Sequence, residues 1–179
     1  MNTIDEQLEA YRKQGFNDSQ MRQICYGLKD CLDVSTYAKK EFDWKQMCEI
    51  REGLIEGLDV TIYAKKEYND AQMFQIRWGL VKSLDVNIYE KPEFDWKQMF
   101  EMRQGLEEGI DVNIYAKKEF DDDQMEQIRE GLKEGIDVSL YAKKEFDWEQ
   151  MGKIREFLQD NPNTDFTIEE ILSIMALEQ

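Results

Sequence analysis

The sequence predicts an all-α fold, an α-solenoid of tandem two-helix repeats closed by helical end caps. Three observations predict it: the chain repeats itself every 26 residues, each repeat carries the same helix-start pattern, and apolar residues follow at helical spacing. Self-similarity at such a period is typical of arrays in which one unit cannot bury its apolar face alone. The repeats begin at Gly15, Glu41, Glu67, Glu93, Glu119 and Glu145.

The first element of each repeat is a long helix with a capping box at its start. Asp or Asn stands at the third position and Gln follows three residues later, as in Asp43 and Gln46. The short side chain accepts from a free helix N–H, and the Gln reaches back to the cap. Met, Ile and Leu then recur at spacings of three and four, as in Met125, Ile128 and Leu132, and are expected to face a core.

The long helix is expected to end at Gly57, Gly109 or Gly135, because glycine readily adopts the positive φ that follows a helix. Cys31 and Ser83 replace this glycine in two repeats, so the glycine itself is not obligatory. Two residues after this glycine position stands an Asp. It would cap a second, short helix with the pattern D-V-x-x-Y-A-K-K. We expect about two turns, which would need tertiary packing to be stable.

Both ends of the array depart from the repeat. Residues 1–14 align with the short helix, so the first helix is predicted to be an unpaired copy of it, a capping half-repeat started by Thr3-x-x-Glu6. Residues 15–158 form six repeats, the last one partial. The period breaks at Asp160-Asn161-Pro162-Asn163, and Thr167-x-x-Glu170 opens a final capping helix within 159–179. Atypical ends are what a solenoid needs to close its core.

Two more positions recur inside the long helix. Glycine there costs about 1 kcal/mol against alanine, so its repetition predicts close approach of a neighbouring helix. An Arg at another fixed position is expected to pair with acids of the adjacent repeat. The glycines are Gly27, Gly53, Gly79, Gly105 and Gly131, and the arginines Arg51, Arg77, Arg103, Arg129 and Arg155.

The composition excludes several classes of function. The chain has 39 acidic and 23 basic residues and a net charge of −16, so direct nucleic-acid binding is not expected. It has no histidine, the commonest general base and metal ligand. Acids such as Asp121 to Asp123 stand at helix starts, where negative charge is favoured. We therefore expect a non-enzymatic protein without catalytic residues, cofactor or metal.

The cysteines and the hydropathy pattern bear on location. Cys25, Cys31 and Cys48 are an odd set and fit neither a disulfide framework nor a zinc or redox spacing. No apolar stretch approaches the roughly 20 residues that span a bilayer, and the start lacks a signal peptide's apolar region. The expected location is the cytoplasm, with no membrane partner.

The positions that vary between repeats form the candidate binding surface. They are the fourth, eighth, twelfth and fifteenth of each repeat, and they fall on one stripe of the long helix. These stripes are predicted to join over the central repeats into an aromatic surface that binds a partner. The alternative is that they pack between repeats, although the repeat beginning at Glu119 is polar at all four positions. The predicted partner-binding residues are Trp44, Ile55, Phe74, Trp78, Val81, Trp96 and Phe100.

The repeat resembles a family of helical tandem repeats of about 26 residues found in bacterial proteins, several from Firmicutes and their mobile elements. The motif is Q-M-x-x-I-R-x-G-L-x-x-G-[LI]-D-V-x-x-Y-A-K-[KP]-x-F-D, and it covers roughly Asn17 to Leu158. The resemblance implies no established activity but a bacterial, mobile-element or phage setting. Cys25 and Phe157 depart from the motif in the outer repeats, which fits end-capping roles.

Two functions follow as hypotheses. The first is a scaffold that binds a protein or peptide through the aromatic stripe. The alternative is an acidic mimic of nucleic acid, a counter-defence inhibitor that occupies the basic groove of a partner protein, and the charge motivates it. An exposed apolar surface could equally serve as a homodimer interface.

Overall fold

The computed structural model describes residues 3–162 and 166–177, and within those ranges the chain is helical with connecting loops and no strand. It divides into two compact units, Met1–Val86 and Asn87–Gln179. In each unit, consecutive long helices pack side by side in chain order. This is the tandem helical-repeat architecture that the sequence predicted. Asn163, in the predicted break of the period, lies outside the described residues.

The described part of the first unit, from residue 3 onward, contains four α-helices. Each of the last three begins a repeat, and α1 precedes them as the end cap. Three-residue 3-10 turns at Val34–Thr36 and Val60–Ile62 follow the second and third helices, and another, Val86–Ile88, begins where the unit ends. The helices are α1 Ile4–Lys13, α2 Asp18–Lys29, α3 Trp44–Ile55 and α4 Asp70–Val81.

The second unit contains three repeat helices and the C-terminal cap. Its 3-10 turns are Val112–Ile114 and Val138–Leu140. The last helix packs against the one before it. The helices are α5 Trp96–Glu107, α6 Asp122–Lys133, α7 Trp148–Asp160 and α8 Ile168–Leu177.

Each long helix starts with the predicted capping box. At α3, Asp43 Oδ1 accepts from the Gln46 N–H at 3.0 Å, and Gln46 Oε1 accepts from the Asp43 N–H at 2.8 Å. The same reciprocal bonds start α2, α4, α5, α6 and α7. Thr3 with Glu6 forms the box of α1, and Thr167 with Glu170 makes the equivalent pair of bonds before α8. These predictions are confirmed.

The helices α2 to α6 end in one conformation whether or not glycine is present. At α3, the Leu58 N–H donates to the Gly53 carbonyl at 2.9 Å and the Gly57 N–H to the Leu54 carbonyl at 3.1 Å, which is a Schellman motif. Gly57 has φ +72°. Cys31 and Ser83 adopt φ +58° and +57° at the same position. Glycine is therefore dispensable there, but the left-handed conformation is not.

The second element of the repeat is shorter than expected. The sequence predicted about two helical turns after Asp59 and its equivalents, whereas the structure has three-residue 3-10 turns such as Val60–Ile62. Asp59 does cap the turn by accepting from the Thr61 N–H at 3.1 Å. The turn stops at Tyr63, whose φ of −122° is not helical, because its ring is buried beneath the preceding helix. The terminal α1, predicted to be a copy of this short element, is a ten-residue α-helix.

A buried tyrosine anchors each short turn. Tyr63 is fully buried, and its Oη donates to the Glu49 carbonyl at 3.1 Å. A Cβ at Gly53 would collide with Tyr63 Oη and lie 3.0 Å from Val60 Cγ1. The close approach predicted at the inner glycines is present, but the neighbour is the tyrosine of the following turn, not another long helix. The other pairs are Gly27 with Tyr37, Gly105 with Tyr115 and Gly131 with Tyr141.

The last repeat lacks this pair of an inner glycine and a buried tyrosine. Phe157 stands at the inner-glycine position of α7, and Thr167 stands where the next tyrosine would be. The Phe157 ring instead packs edge-on against Phe166, with 5.2 Å between ring centroids. The loss of the tyrosine thus removes the need for glycine at the end of the array.

Polar side chains join adjacent repeats. Gln46, whose oxygen completes a capping box, also donates through Nε2 to the Tyr68 carbonyl at 2.6 Å. Arg77 pairs with two acids of the preceding repeat, as predicted: its Nε lies 2.9 Å from Glu49 Oε2 and its Nη1 lies 2.7 Å from Glu56 Oε1. Gln20–Phe42, Gln98–Phe120 and Gln124–Phe146 repeat the first bond, and Arg129 and Arg155 repeat the pairing with Glu108 and Glu134.

Candidate protein-binding surface

The candidate surface follows from the register of the long helices. The variable positions of each repeat are the first, fifth, ninth and twelfth residues of its helix, which fall on one face. The Met and Ile side chains of the same helices lie buried on another face, with Met47, Ile50, Met73 and Ile76 fully covered. We use the name stripe for the residues at these four positions.

In the first unit, α3 and α4 lie side by side and present the apolar part of the stripe. Trp44 and Ile55 on α3 are 44% and 49% exposed, and Phe74 and Val81 on α4 are both 39% exposed. Trp78 is half-buried. Trp44, Ile55, Phe74 and Val81 are therefore not packed between repeats. The alternative of packing between repeats does not hold for these four residues.

Phe74 and Trp78 form a stacked pair. Their ring centroids are 6.2 Å apart and their planes differ by 12°, one turn of α4 separating them. The Arg77 guanidinium lies 5.6 Å from the centre of the Phe74 ring, and Lys82 Nζ lies 5.6 Å from that of Trp78. Such cation–π contacts favour this placement of the two rings.

In the second unit the stripe is part aromatic and part acidic. Trp96 on α5 is 44% exposed, and Phe100 is half-buried with the Arg103 guanidinium 5.2 Å from its ring centre. The neighbouring α6 carries Asp122, Glu126, Glu130 and Lys133 at the same four positions. The predicted site residues are thus divided between the units: Trp44, Ile55, Phe74, Trp78 and Val81 in the first, Trp96 and Phe100 in the second. Their union into one surface stays a prediction.

Two exposed aromatic residues of the stripe were missed from the sequence. Tyr26, the ninth residue of α2, is 47% exposed, and Trp148, the first residue of α7, is 46% exposed. The signal was present: the first stripe position alternates between Asp and Trp along all six repeats. The order is Asp18, Trp44, Asp70, Trp96, Asp122, Trp148.

The buried Arg77 forms ion pairs with two acids of the preceding repeat beneath the stripe. Burial raises the pKa of Glu49 more than its hydrogen bond and attraction to Arg77 lower it. Burial also lowers the pKa of Arg77, but hydrogen bonds to Glu56 and Glu49 outweigh this and leave it raised. Glu49 is mostly covered and held by the guanidinium, so the pair joins α3 to α4.

A cleft lies beside the C-terminal helix. Phe157, Phe166, Ile174 and Met175 line its apolar side, and its volume is about 630 Å³. Lys153, Glu156, Asp160 and Asn161 line its polar side. Across the described parts of the chain, no three or more Cys, Asp or Glu side chains come together as a metal site would require. Cys25, Cys31 and Cys48 are free thiols.

The fold and this surface define a class: a tandem helical-repeat protein that displays variable side chains along one face of its long helices. Comparisons with known protein families, with curated proteins and with solved structures found no match. None of the helices that the structure describes has the length and apolar character needed to cross a membrane.

Proposed function

We propose that the protein is a non-enzymatic cytoplasmic scaffold that binds another protein or a peptide through the stripe of its central repeats. The exposed apolar side chains of the first unit are the observation that carries the proposal. Trp44, Ile55, Phe74 and Val81 are each more than a third exposed on two adjacent helices. Exposed apolar clusters on folded proteins mark interaction sites.

The repeat itself argues that these residues are kept for binding. In α6 the equivalent positions are all polar or charged, while the capping box and the turns of that repeat are unchanged. The architecture therefore does not require apolar residues on the stripe. Trp is also the residue most enriched at binding hot spots, and the stacked Phe74 and Trp78 rings need little ordering on association.

The binding test is selection from a phage-displayed library of random peptides, with the intact protein as bait. We expect enriched peptides that bind at least about tenfold more weakly to the Ile55→Ala, Phe74→Ala double variant, since truncated hot spots cost that much or more. The matched control is Ile4→Ala with Leu172→Ala, which removes two side chains of similar exposure, 39% and 38%, away from the stripe.

Two outcomes would remove the proposal. One is that no peptide is enriched over a bait-free selection. The other is that both double variants, shown to be folded by circular dichroism, lose affinity equally. Sedimentation of the wild type and of the stripe variant tests the homodimer alternative: a dimer that dissociates only in the variant would assign the surface to self-association.

The net charge of −16 favours a second candidate, an acidic mimic that occupies the basic groove of a nucleic-acid-binding protein. The resemblance to repeats of bacterial mobile elements gives such an inhibitor a setting. It should displace labelled DNA from a basic DNA-binding protein, with an affinity that falls steeply between about 50 and 200 mM salt. Displacement that is absent or independent of salt would exclude this candidate.

A further inference from the structure

Three helices of the second unit place Trp and carboxylate side chains in a row. α6 packs against α5 on one side and α7 on the other, and Trp96, Asp122 and Trp148 are the first residues of these helices. Lys97 Nζ lies 2.9 Å from Asp122 Oδ2, which ties the α5 and α6 ends of the row together. The side chains in this row are therefore, in order, those of Trp96, Asp122 and Trp148.

The next row of the stripe continues the pattern. Glu126 follows Asp122 on α6, with Phe100 beside it on α5 and Gly152 on α7. A Cβ at Gly152 would lie 3.2 Å from Gln127 Oε1, so α6 and α7 approach closely at this level. Because glycine has no side chain, α7 contributes no side chain to the stripe at this level. We use the name trough for the surface between the two tryptophans that contains Asp122 and Glu126.

The trough is negatively charged. Lys97 pairs with Asp122, and Glu126 is exposed without an ion pair among the residues described. Burial raises the pKa of Glu101 beneath it, Arg129 opposes this, and the charges of Glu126 and Asp122 add to the rise. A second copy of this chain, also at −16, would be repelled. Charge complementarity therefore selects a basic occupant.

The distance between the two tryptophans favours an extended segment as the occupant of the trough. Adjacent helices lie about 8–10 Å apart, so Trp96 and Trp148, two helices apart, are separated by up to about 20 Å. An extended chain rises about 3.3 Å per residue and covers that distance in roughly six residues. Arginine matches both features, because its guanidinium stacks on Trp faces and forms paired hydrogen bonds with carboxylates.

We propose that this trough, formed by Trp96, Asp122, Glu126 and Trp148, binds an extended arginine-bearing segment of a partner protein. The inference rests on the proposed scaffold function and names the chemistry of the partner for the second unit. Trp96 and Trp148 hold the ends of the segment, and the two carboxylates bind an arginine between them. This arrangement adds Trp148 to the proposed binding surface.

The probe is an octa-arginine peptide, with octa-lysine for comparison, titrated into the intact protein and followed by calorimetry and tryptophan fluorescence. We expect octa-arginine to bind more tightly than octa-lysine. The Trp96→Ala, Trp148→Ala variant should weaken octa-arginine binding by about tenfold or more, and Asp122→Asn with Glu126→Gln should weaken it several-fold.

The control for non-specific attraction is Glu41→Gln with Glu67→Gln, which removes the same charge from exposed positions of the first unit. Its affinity should stay within about twofold of wild type. Equal losses in the two acid-to-amide variants, or wild-type affinity in the folded Trp double variant, would overturn the inference. So would a change of oligomeric state in that variant, since the trough would then be a self-interface.

Failure here is distinguishable from failure of the scaffold function. If octa-arginine binding is insensitive to the tryptophans while library peptides still require Ile55 and Phe74, only the assignment of a basic partner is lost. If no library peptide depends on Ile55 and Phe74, the scaffold function is lost at the first unit. The two experiments use different residues in different units.

Discussion

At the residue scale, the tyrosine that ends each short turn fits only where the preceding helix has glycine. Tyr63 is fully buried with its hydroxyl bonded to the Glu49 carbonyl, and the position opposite its hydroxyl is Gly53. A mid-helix glycine is ordinarily unfavourable. Here the cost is offset because the ring fills the space that a side chain would occupy.

This contact predicts the sign of a substitution. Gly53→Ala should destabilise the protein by about 1–3 kcal/mol, as overpacking does, although alanine is the better helix former. The measurement is urea unfolding followed by circular dichroism. Tyr63→Phe in the same chain should recover part of the loss, because it removes the hydroxyl that the new Cβ meets.

Gly152 supplies the matched control. It also lies inside a long helix, but a Cβ there would meet only the end of the flexible Gln127 side chain, at 3.2 Å. Gly152→Ala should therefore be neutral or stabilise by up to about 1 kcal/mol. Equal destabilisation by the two substitutions would show that the tyrosine is not the cause.

At the element scale, the glutamine of the capping box does two tasks. Its oxygen caps its own helix, which the spacing predicted, and its amide binds the chain of the following repeat, as in Gln98 to the Phe120 carbonyl at 2.6 Å. The second bond could not be read from the sequence, because it depends on where the next repeat lies in space. In α2, α3, α5 and α6 the first turn therefore carries a bond to the next repeat.

The substitution Gln98→Glu tests separately the bond that caps the helix and the bond to the following repeat. Glutamate keeps the oxygen that caps Asp95 but puts a second acceptor against the Phe120 carbonyl. We expect a loss of about 1–3 kcal/mol at neutral pH, the usual cost of an unsatisfied buried group, measured by urea unfolding.

The comparison is Gln150→Glu in the last repeat. Gln150 is exposed and bonds with Asp147 in its own capping box. Glutamate is a preferred residue at that position, so the change should stay within about 0.5 kcal/mol of wild type. A similar loss at both sites would mean that the capping box, not the bond between repeats, determines the effect.

At the scale of the whole molecule, the buried tyrosines predict how stability depends on pH. Burial raises the pKa of Tyr37, Tyr63, Tyr89, Tyr115 and Tyr141 above the ordinary value near 10. Above that value the unfolded chain loses phenolic protons that the folded chain keeps. Stability is therefore unaffected by these groups below about pH 10 and falls as the pH rises beyond it, by up to about 1.4 kcal/mol per pH unit for each tyrosine.

We expect phenolate absorbance of these five residues to appear together with the loss of helical circular dichroism in an alkaline titration. Tyr115→Phe removes one titrating group, so the stability of that variant should fall less steeply with pH. If the phenolate signal of the five were complete while the helices remained intact, the tyrosines would not be buried as described.

The candidate binding surface also belongs to this scale, and the sequence predicted part of it. Variation at four positions indicated the face, and Trp44, Ile55, Phe74, Val81 and Trp96 are exposed on it. Tyr26 and Trp148 lie in the first and last repeats, outside the central repeats to which the predicted surface was confined. Their positions in the repeat already contained the information.

The sequence by itself determined the fold class, the repeat boundaries and the helix starts, because each depends on local signals repeated at a fixed period. Only the tertiary structure decided the three-residue length of the second element, the partner of the inner glycines and the exposure of the stripe. Those features depend on contacts between residues far apart in the chain. A buried tyrosine ends the turn and fills the glycine site, and the packing of neighbouring helices within each unit leaves Trp44, Ile55, Phe74, Val81 and Trp96 exposed.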